Sequence, residues 1–485
     1  MLLLLQAAGP LQSGPPLRVG VDRRVELFAI LFKLAGAGEF NQNNFVQYNA
    51  DIQRQFASFR DHEAVTRARE LHDRFGISFS VVMAVAIRLT DPPEIRERVP
   101  FDSTGGWRAP PDEMRRFVEA ARRFAVEAHA DDFFAAHRVL YDSANVRLRR
   151  PIDRLADLQW LSDFFGVPPD RDFVVVPMLA NSETSFGPCM QPPDGRLECY
   201  SILGHHATDS AGFPLYDDGF VGTLVHEAGH GYVNPLANAR RADFERSAPR
   251  VHAQVADAMS AQAYPWTSMV NESLLHAVEA RYALAHKGPS ALPQFFADQR
   301  RQSWFWVEEL YNLYGDYVAD RRTYPTFAAF MPRVIAYFDS LPDRVPAMAR
   351  AYDAQRPKVI SLSIENGSQS VDSATREIVV RFDRRVREDG WSIVPSFGHA
   401  TPARESQARV PKITWKSWGT DAAHTPFKLG TGLDSTGTTF RFGVELEPGR
   451  AYEFQLNTPH GFGFRDAETG VPLAPYSVRF KVSGR

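Results

Sequence analysis

The stretch that decides the fold runs from Phe220 to Leu236 and reads Phe-Val-Gly-Thr-Leu-Val-His-Glu-Ala-Gly-His-Gly-Tyr-Val-Asn-Pro-Leu. Its apolar residues recur at helical spacing, so the sequence predicts an amphipathic helix. Pro235 disfavours helical geometry at the residue before it, and we expect the helix to end near Asn234. His226 and His230 are four positions apart and therefore lie on one face of this helix.

Two imidazoles placed in this way reach a single tetrahedral Zn²⁺, and Glu227 between them is the general base that the His-Glu-x-x-His motif supplies. The small residues Ala228 and Gly229 and the apolar flanks indicate a buried helix, in which an unliganded histidine pair would need other partners. The alternative is two histidines with no metal role, because the short motif also arises by chance in long chains.

A catalytic zinc ion needs a third protein ligand and a fourth position for water. The metzincin extension would require Gly and His at positions that carry Val233 and Leu236, so that class is excluded. Glu272, in the pair Asn271-Glu272 on a later apolar helix, is the candidate third ligand, and the alternative is a surface acid. The arrangement resembles the gluzincin pattern, in which an Asn-Glu pair on a later helix provides this ligand.

The gluzincin resemblance also implies a carboxylate that supports a ligand histidine. In thermolysin-like gluzincins an aspartate lies four residues after the glutamate, and here His276 stands in that position. We therefore consider His276 and Asp257 as hydrogen-bond partners of the ligands, although Asp257 is equally explained as a solvated helix acid.

A tetrahedral oxyanion requires a further hydrogen-bond donor, and each candidate is also explained as a packing or structural group. The candidates are Tyr264, His276, Tyr311, Tyr314 and Tyr317. His205 and His206 are candidates to line the cleft, and the strand over 199–203 is a candidate to bind the substrate backbone.

Short motifs, both in the helix of His226 and His230 and outside it, extend the resemblance over about residues 20 to 350. They are similar to those of an uncharacterised bacterial family with predicted metallopeptidase character. The motifs are Arg23-Arg-Val-Glu-Leu-Phe-Ala-Ile-Leu31, His226–Leu236, Tyr264-Pro-Trp-Thr267, Asn271-Glu272, Tyr324-Pro-Thr-Phe327 and Phe330-Met-Pro332. The resemblance implies a gluzincin-like peptidase and says little about its substrate.

The periodicity of the chain predicts an α+β fold. Most of residues 19–355 has helical spacing, interrupted by two predicted strands over 172–180 and 196–203. After Arg356-Pro357 the period changes to two in short runs between turn residues, which favours a β-sandwich. The runs over 359–367 and 371–383 resemble a bacterial Ig-like domain. We therefore expect a leader remnant at 1–18, a zincin-like metallopeptidase domain at 19–355 and an Ig-like sandwich at 356–485.

Composition limits the partners and favours an extracytoplasmic location, periplasmic or secreted. The formal net charge of −3 gives no basic field for nucleic acid, and no apolar run is long enough for a transmembrane segment. The apolar start followed by small residues is typical of the end of a signal peptide. Cys189 and Cys199 flank a Pro-Pro-Asp-Gly turn, which favours a disulfide over two free thiols.

The function that the sequence predicts is hydrolysis of peptide bonds in a peptide or protein substrate, with one zinc ion and a water activated by Glu227. Two alternatives stay open. One is a zinc hydrolase of a non-peptide amide, which the same residues would serve. The other is a secreted or cell-surface binding protein with an inactive zinc site, associated with the cell envelope through its Ig-like domain.

Overall fold

A computed structural model describes most of the chain. The described residues are 17–42, 45–103, 107–168, 170–180, 184–193, 195–204, 207–262, 264–395, 412–413, 432–458 and 461–484. The protein mixes helices and sheets and is about 52% helical, so the α+β prediction is confirmed at this level. His205, His206 and residues 1–16 of the expected leader lie outside the described residues.

The helices are concentrated before residue 354, where the sequence predicts them. They are α1 Arg23–Ala35, α2 Val46–Phe56, α3 Glu63–Phe75, α4 Ser80–Ile87, α5 Pro111–Glu127, α6 Ala130–Ala136, α7 Arg138–Leu155, α8 Gln159–Phe165, α9 Gly219–Ala239, α10 Arg241–Phe244, α11 Ala248–Gln254, α12 Ala256–Ala261, α13 Trp266–Lys287, α14 Leu292–Arg301, α15 Val307–Ala319 and α16 Phe327–Asp353.

Two compact units divide the chain. The first comprises residues 1–252, 259–289 and 307–340, and the second comprises 253–258, 290–306 and 341–485. Strands of the first unit are β1 Leu17–Val19, β2 Arg171–Pro177, β3 Cys189–Met190, β4 Leu197–Leu203, β5 Ala207–Thr208 and β6 Pro214–Leu215. Those of the second are β7 Val359–Leu362, β8 Glu377–Phe382, β9 Ile393–Pro395, β10 Lys412–Ile413, β11 Gly432–Leu433, β12 Thr439–Glu445, β13 Ala451–Leu456 and β14 Tyr476–Lys481.

The main sheet of the first unit has the strand order β1-β2-β4-β3. β1 and β4 both run parallel to β2, whereas β3 is antiparallel to β4. Leu17 and Arg18, which the sequence assigns to a leader, belong to β1 and pair with Phe173 and Val174. β4 is therefore an internal strand, and among the described strands β3 forms one edge of the sheet and β1 the other.

α1 crosses the apolar core of the first unit. Asp22 accepts the amides of Arg24 and Val25 at its start, and Gly36 ends it in the left-handed conformation. The helix packs with α3, α5 and the aromatic residues of α2, including the fully buried Tyr48. The polar Glu26 lies within this core and has no exposed surface.

α9 continues through Pro235 to Ala239, so the expectation that it ends near Asn234 is wrong. A proline cannot donate to the carbonyl four residues earlier, which here belongs to Gly231. That carbonyl instead accepts a hydrogen bond of 2.5 Å from Nη1 of Arg171 in β2. The substitute donor allows the helix to pass the proline without a buried unsatisfied carbonyl.

The C-terminal strands belong to the second unit and form two antiparallel sheets. One contains β10-β12-β8-β7 with β11 beside β12, and the other has the order β14-β13-β9. Alternate residues of β8, β12, β13 and β14 are buried in one apolar cluster, as period-two strands require. The C-terminal strands thus form sheets, as the sequence predicts, while their resemblance to an Ig-like sandwich stays a prediction.

Candidate metal centre

α9 and α13 bring the three predicted ligands together. His226 Nε2 and His230 Nε2 are 3.2 Å apart, and each lies 3.5 Å from an oxygen of Glu272. In a tetrahedral zinc site with bonds of 2.0–2.1 Å, neighbouring ligand atoms are separated by about 3.3 Å. The three side chains therefore converge with the separations that a tetrahedral ion requires.

Both histidines turn the same nitrogen toward this point. His226 Nδ1 lies 3.0 Å from Glu279 Oε1 and His230 Nδ1 lies 3.1 Å from Asn234 Oδ1, so each Nδ1 donates its proton to an oxygen. Each Nε2 then faces the centre, as the nitrogen that would bind a cation there. Glu272 Oε2 is buried and accepts no hydrogen bond from the described residues. A cation at the centre would satisfy all three groups.

Glu279 is a residue of the candidate centre that the sequence interpretation missed. Its carboxylate accepts His226 Nδ1 through one oxygen and His276 Nδ1, at 2.8 Å, through the other. It follows Glu272 by seven positions and His276 by three, which places all three on one face of α13. That spacing was a readable signal. Because each oxygen already accepts a histidine proton, His226, His276 and Glu279 form a hydrogen-bonded group, not a second metal site.

The carboxylates make the centre attractive to positive charge. Burial by itself lowers the pKa of His226, but Glu279 and Glu272 outweigh burial and raise it to about 10. For His230, burial outweighs the same attraction, and the neighbouring His226 further lowers its pKa. One positive charge at the centre is therefore favoured and a second is opposed.

Glu227 is only 7% exposed and lies beside the cluster. Burial raises its pKa to about 7; His226 opposes this shift, while Glu272 and Glu279 add to it. For Glu279, burial raises the pKa, but His226 and His276 hold it far below the usual range. The pKa of Glu227 is therefore raised and that of Glu279 is lowered, although the two residues lie on adjacent helices. Such a pair suits Glu227 to accept and release a proton and Glu279 to remain an anion.

The remaining predicted residues fall into two groups. His276 is hydrogen-bonded to Glu279, which is in turn bonded to the predicted ligand His226. Tyr264 lies near the cluster, where burial and then Glu272, Glu227 and Glu279 raise its pKa. Asp257 is exposed on α12, so the supporting carboxylate is Glu279 and not Asp257.

The other three tyrosines have structural contacts. The hydroxyl of Tyr314 donates to Leu274 O and that of Tyr317 donates to Phe164 O, which contradicts their assignment as oxyanion donors. Tyr311 packs beneath the guanidinium of Arg281, whose carbon lies 4.0 Å from the ring centroid. The site carboxylates thus act on the pKa of Tyr264, whereas burial raises the pKa of Tyr314 and Tyr317.

A segment over 186–190, called the edge segment, lies against Glu227. Phe186 and Ile202 exchange two backbone hydrogen bonds, and Cys189 pairs with Cys199. A Cβ at Gly187 would lie 2.7 Å from Glu227 Oε2, so only a glycine permits this approach. The segment covers the free side of β4, and the expectation that residues 199–203 bind the substrate backbone is therefore wrong.

The expected disulfide joins Cys189 to Cys199 next to α9. A Cβ at Gly231 would lie 2.8 Å from Cys199 Sγ, so the disulfide packs directly against the turn that follows His230. The guanidinium of Arg171 stacks on the neighbouring Tyr232, with its carbon 3.8 Å from the ring centroid. These contacts fix the carboxyl-terminal half of α9 on the sheet.

A family model described as "Domain of unknown function (DUF4932)" matches residues 17–337. This range includes both helices of the metal centre. No curated protein and no solved structure matches the chain. Among the described residues, the helices are too short or too polar for any of them to cross a membrane.

Proposed function

The chain belongs to the family described as a domain of unknown function (DUF4932), which assigns no activity, and we propose from the geometry of the metal centre that it is a zinc-dependent peptidase. The observation that carries the proposal is the convergence of His226, His230 and Glu272 with separations of 3.2–3.5 Å. Two histidines and a glutamate form a recognised set for catalytic zinc.

A zinc ion held by these three residues would supply Lewis-acid chemistry, which acidifies water and polarises a carbonyl group. Glu227 accepts the proton of the attacking water and passes it to the leaving amine, and its pKa of about 7 suits both transfers. Glu279 holds His226 in the tautomer that presents Nε2 to the centre. Tyr264 is the candidate to donate to the oxyanion, because it lies close enough to Glu272 and Glu227 for their charges to raise its pKa.

The edge segment offers a place for an extended substrate. In an antiparallel pair, residues that bond the neighbouring strand alternate with residues whose N–H and C=O point outward. Phe186 and Pro188 bond β4, so the backbone groups of Gly187 point away from it, beside Glu227. A peptide added along this edge would have a backbone carbonyl near the general base.

The test combines metal content with cleavage. We expect about one zinc per chain and cleavage of denatured casein by the wild type. Glu227→Gln should retain the zinc and lose cleavage by at least about a hundredfold, because it removes the base. Glu245→Gln, which changes an exposed glutamate of the same unit, is the control and should cleave as the wild type does.

Equal cleavage by Glu227→Gln and the wild type would contradict the mechanism. A wild type that binds zinc and cleaves no peptide bond would favour the binding protein or the non-peptide amide hydrolase. A chain that binds no zinc, with His226→Ala indistinguishable from the wild type, would remove the basis of the proposal.

We also propose that the protein works outside the cytoplasm. The disulfide supports this location, because such bonds persist mainly in oxidising compartments. To test this location, cells are lysed without reductant and the lysate is treated at once with a thiol-alkylating reagent. Cys189 and Cys199 should resist modification, and full labelling of both would contradict the proposal.

A further inference from the structure

A groove lies between α7 and the segment that leads into α9. It is lined by residues of α7 from Asp142 to Arg154 and by residues 214–216 and 218, and we call it the α7 groove. Its volume of about 890 Å³ is within the range of ligand sites. Val146 and Leu215 line it and are 55% and 45% exposed. Exposed apolar side chains gathered in a concave surface are typical of a binding site.

Arg150 gives the α7 groove a positive charge that no acidic residue neutralises. The aspartates at the groove each have an arginine of their own, in the pairs Arg147–Asp209, Arg154–Asp218 and Arg138–Asp142. Among the described residues, the side chain of Arg150 has neither an ion pair nor a hydrogen bond. A guanidinium binds a carboxylate through two hydrogen bonds. The groove therefore suits a carboxylate on an apolar stem, as in a glutamate side chain.

The edge segment runs alongside α9 and sets the path of a peptide bound to it. Gly187 lies against Glu227, and two residues later Cys189 Sγ lies 3.3 Å from the position of a Cβ on Gly231. Two residues of a strand and four residues of a helix both advance about 6–7 Å. The segment and the axis of α9 therefore have nearly the same direction, and a peptide added to this edge follows the helix.

The surface of α9 between the metal centre and the α7 groove is open. Asp218, Gly222 and His226 follow one another at four-residue spacing and form one ridge of the helix. Gly222 is exposed, and a Cβ there would meet no atom of the described residues within 4 Å. Asp218 lines the groove and precedes His226 by eight positions, or about 12 Å along the axis. An extended peptide covers this distance in about four residues.

We propose that the α7 groove is a specificity subsite, which takes a glutamate side chain of the substrate about four residues from the scissile bond and binds its carboxylate to Arg150. This role rests on the proposed peptidase function and adds a substrate class to it, namely extended peptides with an acidic residue at a fixed distance from the cleaved bond. None of the predicted metal ligands lines the groove, so Arg150 acts on the choice of substrate and not on metal binding.

The experiment measures at which substrate position a glutamate is selected. The substrates are peptides around one bond that the wild type cleaves in denatured casein. Their ends are blocked, every acidic residue is replaced by glutamine, and a single glutamate is moved along both sides of the bond. For the zinc-loaded wild type, kcat/KM should rise about five- to tenfold over the peptide without glutamate at a position about four residues from the bond, and less than about twofold elsewhere.

Variants of Arg150 test whether its charge makes this selection. Arg150→Met should abolish the preference and cleave the peptide without glutamate as the wild type does, because it keeps the apolar stem and removes the guanidinium. Arg150→Glu should prefer lysine to glutamate at the same position, a reversal that a structural role would not produce. Arg149→Met is the matched control and should keep the preference, since Arg149 is the adjacent exposed arginine, pairs with Asp153 and does not line the groove.

The outcomes separate the subsite from the peptidase proposal. A wild type that cleaves these peptides with no preference for glutamate at any position would overturn the subsite alone. A preference that survives in Arg150→Met, or one that Arg149→Met loses to the same extent, would also overturn it. A zinc-loaded wild type that cleaves no peptide would overturn the peptidase function, and the subsite with it.

Discussion

At the residue scale, the Nδ1 acceptors decide what the motif histidines can do. An imidazole whose Nδ1 donates to an oxygen presents Nε2 as a ligand, and a carboxylate acceptor also makes that nitrogen more basic. His226 has the carboxylate of Glu279, and His230 has only the amide oxygen of Asn234. We therefore expect metal binding by His226 to depend on its acceptor Glu279 more strongly than metal binding by His230 depends on Asn234.

Replacing Glu279 with Gln should weaken zinc binding about 10- to 100-fold, because Gln supplies one neutral acceptor where the carboxylate serves two histidines. Competition with a chromophoric chelator measures the affinity. Asp257→Asn is the control, since Asp257 is the exposed acid that the sequence offered for the same task. Equal losses in the two variants, or none in Glu279→Gln, would contradict the assignment.

At the element scale, α9 is a helix that needs the sheet in order to continue. Pro235 removes one helical hydrogen bond, and Arg171 of β2 replaces it at Gly231 O. The disulfide occupies the space that a side chain at Gly231 would fill. The helix, the strand and the disulfide therefore stabilise one another next to His230, and Asn234 keeps the helical position from which it holds that histidine.

Arg171→Met should lower the free energy of unfolding by about 1–3 kcal/mol, because it preserves the apolar stem and leaves the buried carbonyl of Gly231 without its donor. Urea unfolding of the oxidised protein measures the change. Arg149→Met, in an exposed pair with Asp153, should cost less than about 0.5 kcal/mol. A result for Arg171→Met as small as that of the control would contradict the proposed support of α9.

At the scale of the whole molecule, the first unit has charged and polar groups inside its core. Burial raises the pKa of Glu26 to about 7, although Leu179, Tyr48 and Ala180 donate to its carboxylate and lower it. Burial also lowers the pKa of Lys33, on the same helix, to about 8. The net stability of a protein is small compared with such opposing contributions, so the stability of this unit should respond to pH near neutrality.

Because the pKa of Glu26 is higher in the folded chain than its usual value of 4.5, folding takes up a proton between about pH 4.5 and 7. This contribution to stability is complete below pH 4.5 and is lost as the pH rises through 7. Between pH 5 and 7.5 the wild type should therefore lose about 2 kcal/mol relative to Glu26→Gln, which cannot titrate.

Urea unfolding at both pH values measures this difference between the two proteins. Because Glu26 raises the pKa of Lys33, both proteins should carry Lys33→Met, so that Lys33 titrates in neither. A constant difference across the range would show that Glu26 keeps an ordinary pKa in the folded chain.

Much of the candidate site was readable from local spacing. Two histidines four positions apart on a helix share a face whatever surrounds them, and an apolar later helix with an Asn-Glu pair offered the third ligand. The helical and period-two regions likewise follow from which side chains must be buried. Glu279 had the right spacing too, but the gluzincin resemblance predicted the supporting carboxylate at the position that His276 occupies.

Tertiary structure decided the rest, because it depends on contacts between residues far apart in the chain. Local rules end a helix at Pro235, and only the guanidinium of Arg171, brought by β2, supplies the missing donor. Nothing in the sequence distinguishes Tyr314 and Tyr317 from Tyr264 as hydrogen-bond donors. In the structure, the hydroxyls of Tyr314 and Tyr317 donate to backbone carbonyls that are distant in the chain. The sequence by itself determined which residues can bind a metal, whereas packing decided which groups support them, since hydrogen-bond partners are set by position in space.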